Sequence, residues 1–334
     1  QTSITAPFNW PWAFIRPATT FSFTQYRLDH QPSGNDDTPS RSQPQFSLDA
    51  GLFFERPVEV SAMAFTQTLE PRLLLVETPA RDQSQLPNFD SGELTFNFSQ
   101  LFRPDRFSGR DRIGDTRQAT LGLTSRLLTP QGSERLTLSA GQIFYFEHRQ
   151  VRLDADGEAL TDDRSAFAAE ADWQATPELR LGADLLMSEE LSRNLARNLK
   201  LSYRSDLDHQ FNASYRFTDD KLKPDDKLEQ VDLSAIWPLS PQWSLLTRWL
   251  YDLDNSEPLD QILGLEYENC CWRIRALYRH WVNESADQRE NNGVFLQFVL
   301  KGLGRVGAQA AGDDGSLARS FLKEISGFEE REDL

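Results

Sequence analysis

The sequence predicts an all-β fold, a transmembrane antiparallel β-barrel. Three observations lead there: apolar residues recur with a period of two, the segments that show this are long, and short connections alternate with long ones.

The strands read in order. In 118–128, Ala119, Leu121, Leu123 and Leu127 share one face, while Gln118, Thr120, Thr124 and Arg126 share the other. From Glu134, Leu136, Leu138, Ala140, Phe144 and Phe146 oppose Arg135, Thr137 and Ser139. Leu195, Leu199, Leu201 and Tyr203 oppose Asn198, Lys200, Ser202 and Arg204, and Phe211, Ala213, Tyr215 and Phe217 oppose Asn212, Ser214 and Arg216. Val294, Leu296, Phe298 and Leu300 again share a face. Successive strand residues point to opposite sides, so each segment has one apolar and one hydrophilic face.

About fifteen such strands are expected, near 7–16, 19–29, 45–55, 65–77, 118–128, 134–148, 165–175, 179–187, 194–205, 209–217, 229–237, 243–252, 260–268, 271–281 and 293–301. Most have the roughly 9–11 residues that cross a bilayer at a tilt, against about five or six in soluble strands.

Connections discriminate a membrane barrel from a sandwich. Links at 129–133, 176–178, 205–208 and 238–242 are short, whereas 149–164, 218–228 and 282–292 are long and polar. This order is expected when tight turns lie on one side of a membrane and loops on the other. Trp173, Trp237, Trp243, Trp272 and Trp281 fall near predicted strand ends, where a water–lipid boundary satisfies both ring and N–H. Arg126, Lys200, Arg204, Arg216, Arg248, Arg273 and Arg275 lie on the hydrophilic faces. Facing lipid, each would cost roughly 2–4 kcal/mol at the midplane, so a watery lumen is expected there.

Composition agrees. The 334 residues carry 35 Lys plus Arg against 51 Asp plus Glu, a formal charge of −16, which argues against phosphate-backbone binding. With 39% hydrophobic residues the chain is not disordered by composition. No stretch reaches the roughly 18 apolar residues of a membrane helix, a test that leaves β-barrels untouched. No charged-then-apolar leader stands at Gln1, so a mature chain or a fragment is expected.

Two regions break the rhythm. The excursion Arg81–Arg117 is rich in Phe and Leu, including Phe89, Phe96, Phe98, Leu101, Phe102 and Phe107, and is expected to be an ordered lid or lumenal loop. After residue 303 a tail runs to 334, where Leu317, Phe321 and Ile325 behind a Ser316 cap suggest a short amphipathic helix over 316–328. The expected organisation is therefore a barrel portion over 1–303, with its loop at 81–117, and a tail over 304–334.

Catalytic signatures are missing: no GxSxG and no HExxH occur, and His30, His148, His209 and His280 read as solvated or lumen-facing. No enzyme, metal site or cofactor is expected. Asn97-Phe98-Ser99, Asn212-Ala213-Ser214 and Asn283-Glu284-Ser285 match the glycosylation pattern, as such triplets do by chance. The only cysteines, Cys270 and Cys271, are neighbours. Bonding to each other is geometrically disfavoured, which leaves two buried thiols or two bridges to cysteines outside this chain.

Several segments resemble the barrel of the LptD family of lipopolysaccharide-assembly outer-membrane proteins. They are Gln67–Arg72, Arg81–Ser84, Gly109–Ile113, Leu121–Arg126, Gly141–Phe146, Asn269–Trp272 and the closing strand 293–303, in family order. The resemblance implies that the chain is the C-terminal portion of a larger, 26-stranded barrel in the bacterial outer membrane. It implies passage of lipopolysaccharide to the outer leaflet, an LptE-like lipoprotein plug in the lumen, and an LptA-like periplasmic bridge reached through an N-terminal domain. It further implies disulfides from Cys270 and Cys271 to that domain, and a periplasmic tail. It places a seam at the last strand: Gly293, Val294, Phe295, Leu296, Gln297, Phe298, Val299 and Leu300. The loop residues expected to meet the plug are Arg81, Asp82, Gln83, Phe102, Phe107 and Arg112. The rival readings are a diffusion pore, which needs neither plug nor cysteine pair, and a soluble β-sandwich binding module.

Overall fold

The computed structural model describes residues 1–29, 37–60, 63–153, 157–188, 191, 193–206, 209–219, 227–282, 290–300 and 304–307. Among them are eighteen strands: β1 (Thr2–Thr5), β2 (Phe8–Trp10), β3 (Ala13–Gln25), β4 (Ser40–Leu52), β5 (Phe54–Val60), β6 (Met63–Thr78), β7 (Thr116–Leu128), β8 (Glu134–Tyr145), β9 (Phe167–Gln174), β10 (Leu179–Met187), β11 (Asn194–Arg204), β12 (Gln210–Thr218), β13 (Leu228–Pro238), β14 (Trp243–Asp252), β15 (Glu257–Glu268), β16 (Trp272–Val282), β17 (Glu290–Leu300) and β18 (Gly304–Gly307). One 3₁₀ turn, η1 (Phe98–Phe102), joins them. Two compact units divide the chain: Gln1–Ala171 with Asp184–Asn194, and Asp172–Ala183 with Leu195–Leu334.

In the first unit β1 and β2 both pair with β3, β3 with β4, β4 and β5 with β6, and β6–β7–β8 follow, all antiparallel. The N-terminal strands correct the sequence reading. Predicted strand 7–16 divides into β2 and the start of β3 around a turn at Pro11-Trp12, and β3 runs on through Pro17 into predicted strand 19–29, ending at Gln25. Pro17 has no N–H to give, but it lies opposite the interruption between β1 and β2, where its carbonyl accepts from Ala6 N (3.0 Å). Predicted strands 45–55 and 65–77 are likewise parts of a longer hairpin, Ser40–Leu52 and Phe54–Val60 against Met63–Thr78. The strand predicted over 134–148 ends at Tyr145. With β1 and β5 added here and β18 beyond the predicted strands, the count rises from about fifteen to eighteen.

Burial in this unit is inverted relative to a water-soluble sheet. Ile15, Phe21, Phe23, Phe46, Leu69, Leu121 and Leu123 are exposed, while Ser22, Arg41, Gln43, Thr68, Gln118, Thr120 and Ser139 are buried. Alternation alone assigns these sets to opposite faces: Ser22 sits opposite Gln43, and Thr124 opposite Ser139.

In the second unit β11 to β18 pair successively and antiparallel. A small apolar belt crosses one face, with Leu246 and Ile262 buried against Ile236, Leu277 and Phe295. An aromatic row lies near the short-turn end: Trp243 to Tyr267 and Tyr267 to Trp272 at 5.0 Å each, then Trp272 to Phe298 at 6.1 Å. β18 continues the pairing past residue 303. His30, the Asn283 triplet, and the helix expected over 316–328 lie outside the described residues, as do 308–334 of the tail.

Candidate functional site

The loop between β6 and β7 packs on the polar face of its own unit. At its centre η1 is capped by Asn97, whose Oδ1 accepts from Gln100 N (3.2 Å) and Ser99 Oγ (2.6 Å). The first of the acceptor-like triplets is thus a helix cap. Leu101 is fully buried with Ile143 and Ala168, flanked by Phe96, Phe98, Phe102, Tyr145 and Leu186. Two glycines in register, Gly122 and Gly141, make room for it. A Cβ on Gly122 would lie 2.5 Å from Phe102 Cζ, and one on Gly141 2.9 Å from Leu101 Cδ1. Thr120 Oγ1 donates to Leu101 O (3.0 Å), and Arg72, bound through two nitrogens to Asp49 (2.8 and 2.9 Å), stacks 4.2 Å from the Phe102 ring centre.

Two carboxylates organise the rest of the loop. Asp111 accepts from Tyr26 Oη (2.5 Å), Phe89 N (2.6 Å) and Asp90 N (2.8 Å). Burial works against its ionisation, but these donors outweigh it and hold the carboxyl below its ordinary value. The same burial, aided by Asp111, pushes the Tyr26 phenol up to about 12. From β4, Arg41 reaches into the loop, donating to Gln83 Oε1 (2.7 Å), Asp111 O (2.6 Å) and Arg110 O (2.8 Å). Asp115 accepts from Gln150 N (2.7 Å) and Val151 N (2.9 Å), and Arg106 donates to Asp115 and to Val151 O. This second cluster ties the 81–117 loop to the loop after β8. Burial raises the Asp105 carboxyl, which accepts from Phe107 N and Gly114 N.

On the second unit, ion pairs run across the strands. Arg248 meets Asp232 (2.7 Å) and Asp260 (3.3 Å), and Asp260 also meets Arg279 (2.7 Å). Nearer the short turns, Arg275 meets Glu266 (2.5 Å) and Arg273 meets Glu268 (2.7 Å). Such pairs satisfy charges on a partly desolvated face. At β17 the ladder meets Gln297, an acceptor for Arg275 (3.2 Å), and Glu290, 3.8 Å from His280.

The predicted seam residues all lie on β17. Val294, Leu296 and Phe298 are exposed on one face; Gly293, Phe295, Gln297 and Val299 take the other, and Leu300 stands opposite Trp272. Cys270 and Cys271 occupy the turn between β15 and β16, closed by Asn269 Oδ1, which accepts from Cys271 N (3.0 Å) and Trp272 N (2.9 Å). Both thiols are exposed, which corrects the reading of two buried thiols. Their Sγ atoms are 2.8 Å apart, in hydrogen-bond contact and beyond the roughly 2.05 Å of a disulfide.

Of the loop residues expected to face a plug, Arg81 and Asp82 are exposed and Gln83 and Arg112 buried. Phe102 and Phe107 turn inward: Phe102 onto Gly122, and the buried Phe107 beneath the Arg106 guanidinium. Sequence reasoning missed Tyr26, Arg41, Asp111 and Asp115. Arg41 carried the one available signal, a cation on a strand face that otherwise holds Gln, Ser and Asp49; Asp111 and Asp115 look like any loop acid.

A sheet with an exposed apolar face, and a polar face covered by its own loop, has the polarity of an outer-membrane β-barrel wall. Residues 1–243 match the family model described as LptD: LPS transport system D. The chain belongs to the LptD family and therefore to the bacterial outer membrane. It is 36% identical over 339 residues to the LPS-assembly protein LptD of Hahella chejuensis, covering 99% of this chain and 40% of that one. The Pseudomonas aeruginosa protein of the same name is 34% identical, over 100% of this chain and 40% of its own length. That of Alcanivorax borkumensis is 38% identical, over 93% and 40%. The chain thus spans about 40% of the length of these relatives. Among solved structures, a ferric enterobactin receptor from Pseudomonas aeruginosa aligns at TM-score 0.38 and 11% identity, over 89% of this chain and 53% of that one. A Rhodopseudomonas blastica porin aligns at 0.29 and 10%, over 85% and 98%. Both likenesses are too distant to bear on the fold, which rests on the strands themselves.

Proposed function

We propose that, within its full-length protein, this chain forms part of an outer-membrane translocon that inserts lipopolysaccharide into the outer leaflet without catalysing a reaction. The supporting observation is the inverted burial in a chain of the LptD family: exposed Phe and Leu suit lipid, and buried Gln, Thr and paired Arg suit a hydrophilic route for sugar. In this reading β17 is one side of a seam through which acyl chains leave. A lipoprotein plug of the LptE kind meets the 81–117 loop through its outward residues, Arg81 and Asp82 foremost, since Phe102 and Phe107 are spent on the loop's own packing. An LptA-like bridge delivers cargo through a preceding periplasmic domain. The exposed turn at Cys270 and Cys271 suits two disulfides to that domain, because the periplasm is oxidising.

Purification of the full-length gene product in mild detergent tests this reading. A lipoprotein and lipopolysaccharide should co-purify, and non-reducing peptide mass spectrometry should find Cys270 and Cys271 each joined to a cysteine outside this chain. A protein that purifies alone, with both thiols reduced or bonded to each other, would refute it.

A further inference from the structure

Buried arginines of the first unit usually have a carboxylate or several acceptors. In the first unit, partly buried Arg72 has Asp49 and Arg106 has Asp115, at 2.8 and 3.2 Å. Arg41 has four acceptors, all neutral, whereas three arginines that make no ion pair among the described residues surround one cavity. It has a volume of about 270 Å³ and is lined in part by Arg81, Asp82, Gln83, Arg112, Gln150 and Arg152. Arg112 is only 4% exposed, yet its side chain makes a single hydrogen bond, from Nη1 to Pro87 O at 3.2 Å. Arg81 and Arg152 make no ion pair among the described residues. Burying a guanidinium with one neutral acceptor is costly unless something else neutralises it. In a chain with 51 acidic residues, a pocket bearing three arginines and one aspartate is not a product of composition. That aspartate, Asp82, is turned to the Ser84 N–H (2.9 Å) and pairs with none of the three.

We propose that this cavity is an anion site for a phosphate group. Arginine presents a planar fork of N–H donors that binds phosphate oxygens in pairs, and a concave wall concentrates the field of like charges. The volume falls below the roughly 300 Å³ where pockets for drug-sized ligands begin, which suits a small polar group rather than an acyl chain. The frame is already built. Gln83 is held by Arg41 (2.7 Å) and by Ile113, to whose carbonyl it donates (2.8 Å), while Asp115 fixes the backbone of Gln150 and Val151. The walls thus belong to two loops tied together before any ligand arrives. The phosphate is either the free ion or a phosphate ester on the sugar of a glycolipid. The inference stands apart from the transport reading, since it needs only the pocket.

The test is equilibrium binding to the full-length protein, folded in detergent, with three probes: inorganic phosphate, lipid A, and lipid A stripped of its phosphates. Arg81→Gln and Arg152→Gln are the informative variants, because both side chains reach solvent, and protease protection of the loop reports that it stays folded. Wild type should bind phosphate in a salt-sensitive manner, with each variant weakening it about tenfold. Lipid A binding no tighter than inorganic phosphate assigns the site to the free ion. Tighter binding of lipid A that disappears with its phosphates, and that falls in the two variants, assigns it to a headgroup. No binding of either phosphorylated probe up to about 10 mM, or equal binding by the Arg81→Gln/Arg152→Gln double variant, would overturn the proposal.

Discussion

Asp111 shows how much of the loop rests on a single carboxylate. Three donors converge on its side chain while Arg41 grips its carbonyl, so the loop's position depends on the charge state of one group. Its value in the folded protein is depressed, so the contribution is in place above the unfolded value of about 3.9 and is lost as pH falls through the folded one. Tyr26 is the opposite case: raised to about 12, it contributes fully below about 10 and is lost as pH rises through the folded value. Asp105, raised by burial, works against Asp111 on the acid side. Hydrogen exchange of the loop peptides should therefore show greatest protection between about pH 4 and pH 10. Asp111→Asn should lower protection at neutral pH and flatten the acid-side loss; an unchanged acid response in that variant would mean that another group governs it. None of this was legible in the sequence, because a loop Asp carries no mark of the donors that fold around it.

Among elements, strands were legible and interruptions were not. Alternation in β7, β8, β11, β12 and β17 is unbroken, so their predicted and observed limits differ by only a few residues. β3 is divided in the sequence reading between 16 and 19, around Pro17, whose missing N–H falls where the neighbouring strands are themselves interrupted. The loop's aromatic content did announce an ordered segment, but not which way its rings point. Gly122 and Gly141 decide that: facing each other across β7 and β8, they open the space that η1 fills. Gly122→Leu should push Phe102 out, cost about 2–3 kcal/mol as overpacking costs do, and leave the barrel folded with the loop cleaved faster by protease. A loop as resistant as wild type would show that η1 is held by its hydrogen bonds alone.

For the whole molecule, the strongest legible signal was the order of connection lengths. In the first unit β2–β3, β5–β6 and β7–β8 join tightly and β3–β4 and β6–β7 by long segments; in the second, β13–β14 and β15–β16 join tightly, while β12–β13 has the longer link. In the transport reading the cysteine turn, which falls in the short set, belongs with the other short turns on the periplasmic side. The seam expected at β17 comes only from the resemblance, since β17 alternates like any other strand. Along its border with β16, Gln297 accepts from Arg275 and Glu290 lies 3.8 Å from His280. The most direct test of the transport reading is a photo-crosslinker placed singly at Val294, Leu296 and Phe298 of β17, with Phe211 and Leu199 as exposed controls away from the seam. In growing cells the three β17 positions should capture lipopolysaccharide in transit and the controls should not. Equal capture at all five positions, or phospholipid alone at β17, would contradict a lipopolysaccharide exit along this strand.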